Sequence, residues 1–289
     1  MLINETCKSC LLGQNMEKYP DHASSDQIRT YQDAVRRIIA DCDGLSTPQI
    51  AEQMYALRAD MFGPDRDYAR IKRHFNELML SLMPYLEQQV EAAADPLKMA
   101  VQYAMAGNYI DFGAMKNVEE GRLREQLDQA SDIRIDPQLL ECFREEVLRA
   151  RRMVLFTDNC GEIVTDKLLL SVLRKMNPAM AVTVILRGRP VVNDATPEDA
   201  LQIRMEETAD RVIGNGTGMP GNVIDVLSGE AREEICRADL LVSKGQGNYE
   251  GLSGCGLNVF YLFLCKCDLF MKRFHVPRFT GIMTREQHE

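Results

Sequence analysis

The sequence predicts an α/β protein, a parallel-sheet α/β/α domain with a helical N-terminal subdomain. Three observations carry that expectation. Residues 25–94 follow the 3.6-residue rhythm of amphipathic helices. From Met153 onward, short apolar runs alternate with helical segments and glycine-rich turns, the pattern of a parallel sheet with crossover helices. With 289 residues, 45% of them hydrophobic, the chain has enough apolar material to build a sizeable core. The border is expected near residue 95, giving a helical subdomain over 1–95 and an α/β metal- and phosphate-binding domain over 96–289.

Each element follows from its local pattern. Residues 26–40 place Ile28, Tyr31, Val35, Ile38 and Ile39 on one helical face. Ser46-Thr47-Pro48 combines an N-cap with proline in the first turn and opens a helix through Ile50, Met54 and Leu57. Residues 68–94 form a longer amphipathic run, within which Pro84 is expected to kink or split the helix. Asp95-Pro96 opens another helix, which Gly107-Asn108 ends. Beyond Met153, residues 153–156, 181–186, 211–213, 240–242 and 259–264 read as strands, and 161–176 and 198–207 as helices. Residues 214–221 form a glycine-rich loop.

Charge narrows the function classes. Lys and Arg number 34 against 43 Asp and Glu, a formal net charge of −9. That balance argues against non-specific nucleic-acid binding, which depends on cations neutralising phosphates. It leaves room for a local basic pocket. No apolar stretch approaches the ~20 residues needed to span a bilayer. The first ten residues lack a basic region followed by an apolar run, so no signal peptide is expected. A reducing cytoplasm is the expected location, in which the nine scattered cysteines serve mostly as small buried hydrophobes.

Ligands of parallel α/β sheets bind beyond the carboxyl ends of the strands, and three polar clusters fall there. They are Asp158-Asn159-Cys160-Gly161-Glu162, Asn193-Asp194-Ala195-Thr196, and Lys244-Gly245-Gln246-Gly247-Asn248-Tyr249-Glu250. Two carboxylates and an amide oxygen are hard donors suited to Mg²⁺ or Mn²⁺. Lys244 on a glycine-rich turn, with the N-terminus of the helix starting near Gly161, suits a phosphate. Each cluster taken singly also reads as a helix cap. The haloacid-dehalogenase arrangement needs Asp-x-Asp after the first strand, and here the third position is Cys160.

Four segments in order resemble the damage-control phosphatase family, metal-dependent enzymes first described as domain of unknown function eighty-nine. They are Ala106 to Gly113, Thr157 to Asp166, Pro190 to Thr196 and Lys244 to Glu250, and the likeness runs from about Cys7 to His275. The resemblance implies one divalent cation, Mn²⁺ or Mg²⁺ with Co²⁺ and Ni²⁺ as further options, held by Asp158, Asn159 and Asp194. It implies hydrolysis of phosphate monoesters of small metabolites, such as sugar phosphates or damaged phosphometabolites. It places Lys244, Asn248 and Glu250 on the substrate side, with Asn108 and Asp111 beside the pocket. Of a C-terminal Arg-Thr-x-Lys motif only Lys266 carries over, because the stretch reads Phe263-Leu264-Cys265-Lys266. Asp158 and Asp194 are thus the expected catalytic carboxylates. The attacking group is water or Asp158 itself, and metal ligation of Asp158 favours water.

Cys7-Lys8-Ser9-Cys10 and Cys265-Lys266-Cys267 raise a structural Zn²⁺ as a separate expectation, although a CxC is an awkward half of such a site and packed thiols are favoured. The prokaryotic branch of the family is similar in having an N-terminal CxxC. The histidines at 22, 74, 275 and 288 have no ligand spacing. The competing function is a non-catalytic nucleotide- or phosphate-binding α/β module built on Gly214-Asn215-Gly216-Thr217-Gly218, whose spacing departs from GxGxxG.

Overall fold

Strand formation follows the apolar runs. β1 (Arg152–Phe156), β2 (Ala181–Leu186), β3 (Arg211–Gly214), β4 (Leu240–Lys244) and β5 (Val259–Leu264) are all parallel, and β6 (Gly281–Arg285) pairs antiparallel with β5. The strand order is β3-β2-β1-β4-β5-β6. The order reverses between β1 and β4, so the crevice beyond their carboxyl ends is the switch point where such sheets bind ligands. The structure is a computed structural model that describes residues 1–17, 19–63, 66–114 and 118–286, so His288 lies outside the described residues.

Alternation along the strands sends side chains to two faces and builds three layers. Leu155, Val184, Val242 and Leu262 join one apolar cluster with α4 (Tyr68–Ala92), α5 (Pro96–Gly107), α7 (Pro137–Arg149) and α8 (Glu162–Met176). Val154, Phe156, Leu241 and Phe263 join the other with α10 (Gly229–Arg237), α11 (Gln246–Leu252) and α12 (Asp268–Phe274). Each such buried aliphatic or aromatic side chain contributes about 1.5–3 kcal/mol. α6 (Glu120–Asp128) adds Leu123 and Leu127 to the first cluster, and α9 (Pro197–Gln202) follows β2. A third, smaller core of Tyr31 and Val35 from α2 (Ser25–Ala40), Cys42 from the following turn, and Ile50 and Met54 from α3 (Thr47–Phe62) has α1 (Glu5–Met16) against it. The border expected near residue 95 falls between α4 and α5, which contribute to the same large cluster.

Local differences from expectation have physical causes. Pro84 leaves α4 continuous. It sits on the exposed side, where water can take the carbonyl that loses its N–H partner. The helix expected over 198–207 stops at Gln202, because Arg204 adopts a left-handed conformation before a short 3₁₀ turn, Met205–Glu207. β4 runs through Lys244 and α11 opens at Gln246, where a turn was expected. Ser46 caps α3 as anticipated, with its N–H donating to Gln49 Oε1 at 2.9 Å.

Candidate active site

The switch-point crevice gathers polar groups from β1, β2, β4, β5 and α5. Asp158 leaves the end of β1 and Asp194 follows β2, and the two turns are stitched together by backbone. Ala195 N–H donates to Asp158 O at 2.7 Å, and Cys160 N–H donates to Asn193 O at 2.8 Å. Asn159 and Asp194 form an isolated antiparallel bridge. The caps of the following helices are other residues. Thr196 caps α9, its N–H donating to Asp199 Oδ2 at 2.7 Å, and Gly161 stands at the start of α8 without a capping side chain. Asp158 and Asp194 are therefore not held as helix caps.

Arg187, the first residue after β2, lies between these carboxylates. Its Nε donates to Asp194 Oδ2 at 2.7 Å, Nη1 to Asn248 Oδ1 at 3.0 Å, and Nη2 to Asp158 Oδ1 at 3.4 Å. It is 1% exposed. On the other side, Asp158 Oδ2 accepts from Asn159 Nδ2 at 2.7 Å and from Asn108 Nδ2 at 3.0 Å. Asn108 follows α5 and also donates to Glu162 Oε2 at 2.8 Å. Asn248 joins the ends of β1 and β4, its Nδ2 donating to Thr157 O at 2.9 Å and Lys244 O at 2.7 Å.

Gly245 closes the site from β4 with φ of +79°. A Cβ there would lie 2.0 Å from Asp158 Oδ2, so only glycine lets this backbone pass the carboxylate.

Lys244 is placed beneath the site. Its ammonium donates to Asp166 Oδ1 at 2.6 Å, to Glu162 Oε1 at 2.7 Å and to Ala104 O at 2.7 Å, which takes up all three N–H groups. The Lys244, Glu162 and Asp166 side chains are 0% exposed. Lys266 pairs with Asp111 Oδ2 at 2.6 Å, and Asp111 Oδ1 accepts the Gly113 and Ala114 amides at 2.9 and 2.8 Å. Glu250 lies apart from this group, on α11 where that helix packs against α3. Its charge instead raises the Cys7 thiol, after the larger effect of burial.

Clamping comes from α4. Asn76 Oδ1 accepts the Gly161 amide at 2.6 Å, and its Nδ2 donates to Asp199 Oδ1 at 2.8 Å. Lys72 pairs with Asp199 at 2.6 Å. One helix thus holds the turn after β1 against the turn after β2.

Electrostatics follow from enclosure. Burial, then the neighbouring Glu162 and Asp194 charges, raises the Asp158 carboxyl well above the carboxylate range, and Lys266 pulls it back. Burial pushes Asp194 up to about 6 against the pull of Arg187. Asp111, Asp158, Glu162, Asp166 and Asp194 are five carboxylates against the three cations Arg187, Lys244 and Lys266. The formal excess is two negative charges, the charge of one divalent cation. The donor set of two carboxylates and an amide fits a hard ion such as Mg²⁺ or Mn²⁺, which takes one or two carboxylates and completes its shell with water and phosphate oxygens. Among the described residues no three His, Cys, Asp or Glu side chains gather as a metal cluster, and the set here depends on Asn159.

The structure thus brings together Asp158, Asn159, Asp194, Asn108 and Asn248, with the Asp111–Lys266 pair alongside. Arg187, Glu162, Asp166 and Asn76 are site residues that sequence reasoning missed as such. An arginine directly after a β-strand was visible, but its carboxylate partners meet it only in three dimensions. Cys7 and Cys10 lie one turn apart on α1, and all nine thiols are unpaired. In the glycine-rich loop, Asn215 Oδ1 accepts the Gly188 and Thr217 amides, both at 2.8 Å. Those two donors are turned inward.

Comparison with known proteins agrees with the fold. A family model described as the damage-control phosphatase ARMT1-like domain matches residues 3–280. A protein of Archaeoglobus fulgidus named damage-control phosphatase is 32% identical over 274 residues, covering 93% of each chain. A damage-control phosphatase of Pyrococcus horikoshii is 26% identical over 96% of each. The crystal structure of a DUF89 family protein from Pyrococcus horikoshii superposes with a TM-score of 0.81 at 25% identity, covering 99% of this chain and 100% of that one.

Proposed function

The chain belongs to the damage-control phosphatase ARMT1-like family, and from that premise we propose that it is a divalent-metal-dependent phosphatase hydrolysing phosphate monoesters of small metabolites. The observation that carries the metal dependence is the formal excess of two negative charges in a buried crevice at the switch point of the sheet. Asp158, Asn159 and Asp194 would hold the ion, Mn²⁺ or Mg²⁺ by donor chemistry. When bound, it supplies Lewis-acid neutralisation of a phosphoryl oxygen.

The chain's own residues fix the geometry. Asn108 and Asn159 hold one oxygen of Asp158 from one side, while Arg187 spans to the other oxygen and to Asp194. The carboxylates are thereby pre-oriented, and no reorganisation is needed as charge develops. Lys266, paired to Asp111 and near enough to Asp158 to pull its carboxyl down, is the cation that would meet the phosphate. Lys244 acts from behind, holding Glu162, which in turn accepts from Asn159 and Asn108. In the reaction, the oxygen of water forms a new bond to phosphorus and the ester P–O bond breaks. Its electron pair goes to the leaving oxygen, and the water proton ends on the product alcohol.

The test is phosphate release from sugar phosphates with Mn²⁺ supplied. Activity is expected to stop with EDTA and return with Mn²⁺. Asp158→Ala with Mn²⁺ replenished is expected to lose about 10²–10³-fold or more in kcat/KM. Undiminished activity in that variant overturns the site, and EDTA-resistant activity overturns the metal dependence.

A further inference from the structure

The glycine-rich loop after β3 turns its asparagines inward. Asn215, Asn222 and Asn248 are all fully buried and are linked in series. Asn215 Nδ2 donates to Asn222 Oδ1 at 2.8 Å, and Asn222 Nδ2 donates to Asn248 Oδ1 at 2.8 Å. Asn248 Oδ1 also accepts from Arg187 Nη1 at 3.0 Å. The series returns on itself, because Asn215 Oδ1 accepts the amide of Gly188, the residue after Arg187, at 2.8 Å. A ring of hydrogen bonds thus starts and ends at the arginine of the crevice.

Backbone groups decide which way each amide points. At Asn215, the Gly188 and Thr217 N–H groups demand an acceptor, so the oxygen faces them. At Asn248, the Thr157 and Lys244 carbonyls demand a donor, so the nitrogen faces them. Asn222 has one orientation that satisfies both neighbours, and turning it would leave buried groups without partners. Close backbone contacts keep the ring in place. A Cβ on Gly188 would lie 2.4 Å from Gly216 N, and one on Gly251 would lie 2.1 Å from Asn222 O.

The outcome is a guanidinium gripped on two edges. Nε is held by Asp194 Oδ2 at 2.7 Å and Nη1 by Asn248, whereas Nη2 stands 3.4 Å from Asp158 Oδ1. A planar fork fixed at Nε and Nη1 has its Nη2 direction set as well. The aim of Nη2 at Asp158 therefore comes from the ring and from Asp194, without a tight bond to Asp158 itself.

We propose that Asn215 and Asn222 are positioning residues of the phosphatase reaction, acting through Asn248 to hold Arg187 aimed into the crevice while Asp158 stays open to a cation. The proposal rests on the phosphatase reading above and adds to it two residues from outside the crevice. With saturating Mn²⁺ and glucose 6-phosphate as substrate, Asn222→Ala is expected to lower kcat about tenfold and to leave KM within about twofold, since a misaimed group costs most in the transition state. In an Arg187→Lys background the same substitution is expected to lower kcat no further, because the fork that the ring orients is gone. Losses that multiply in the double variant overturn the route through Arg187. An unchanged kcat in folded Asn222→Ala overturns the positioning role. A second measurement needs no substitution in the loop. Nitrogen NMR of the wild-type chain is expected to show separate, slowly exchanging resonances for the two Nη groups of Arg187, identified by their loss in Arg187→Lys. Averaged resonances would mean a freely turning guanidinium and overturn the proposal, whether or not Asn222→Ala folds. Separate resonances in a wild-type chain that hydrolyses no phosphate monoester overturn the phosphatase reading, and the catalytic role of the ring with it.

Discussion

Two charged clusters meet at the carboxyl edge of this sheet, each a cation between two carboxylates, and they are finished differently. In the lower one, Lys244 lies between Glu162 and Asp166 with all three side chains at 0% exposure. In the upper one, Arg187 lies between Asp158 and Asp194, whose side chains keep 10% and 9% exposure. The lower cluster is sealed. The upper one opens at the crevice. Burial raises carboxyls in both clusters, Asp158 and Asp194 in the upper and Asp166 in the lower, so exposure rather than titration separates them. The difference teaches which charges hold the fold and which wait for a ligand. A buried charge whose partners surround it is structural. On the proposed function, carboxylates crowded at a crevice with a single guanidinium between them would receive a further cation.

Substitutions sharpen that contrast, and the largest effect is expected in the sealed cluster. Lys244→Met leaves two buried carboxylates without their cation and is expected to cost about 3–5 kcal/mol in urea unfolding. Asp158→Asn is expected to leave stability in EDTA unchanged or raised, because it removes a repelled charge. Equal losses in the two variants would erase the distinction. Next in size is Gly245→Ala, which drives a methyl group into Asp158. It is expected to lower phosphate release by about 10²-fold while far-ultraviolet circular dichroism still reports a folded chain.

Smaller effects probe the connections around the site. Asn76→Ala leaves the buried Gly161 amide without its acceptor and is expected to cost about 1–3 kcal/mol, read from the urea midpoint. Smallest is the pH effect of Glu250. Burial pushes its carboxyl up to about 7. Between its unfolded value and that pH the folded chain holds the extra proton, so stability falls as pH rises through the window. Glu250→Gln is expected to flatten the decline by up to about 1.4 kcal/mol per pH unit. An unchanged slope would place the titration elsewhere.

How legible this was in the sequence differs between the clusters. The parallel strands announced themselves as apolar runs such as Val154-Leu155-Phe156, and the polar residues directly after them marked the crevice. β6 went unread because it is an edge strand with Met283, Thr284 and Arg285 only half buried, leaving no apolar run to detect. The clusters that hold Asp158, Asn159 and Asp194 were marked by their positions after strands, and the family resemblance singled out those three. Arg187 could not be assigned, since its meaning depends on two carboxylates brought to it by different turns. Lys244 was visible as a cation beside glycine, but its enclosure depends on Glu162 and Asp166, one turn apart on α8 and facing inward. Sequence adjacency suggested an exposed turn, whereas three-dimensional packing placed Lys244 at the end of a central strand. The Asn76 clamp spans 85 residues to Gly161, beyond the reach of any local pattern.

The central claim is that the upper cluster is a cation site and the lower one is not. A crystal of the chain soaked in Mn²⁺, with data collected for anomalous scattering, tests it most directly. A peak is expected about 2–2.5 Å from carboxylate oxygens of Asp158 and Asp194, with the Asn159 amide oxygen as the third protein ligand. Arg187 still bridging both carboxylates, with no peak between Asp158 and Asp194 at saturating Mn²⁺, would contradict it.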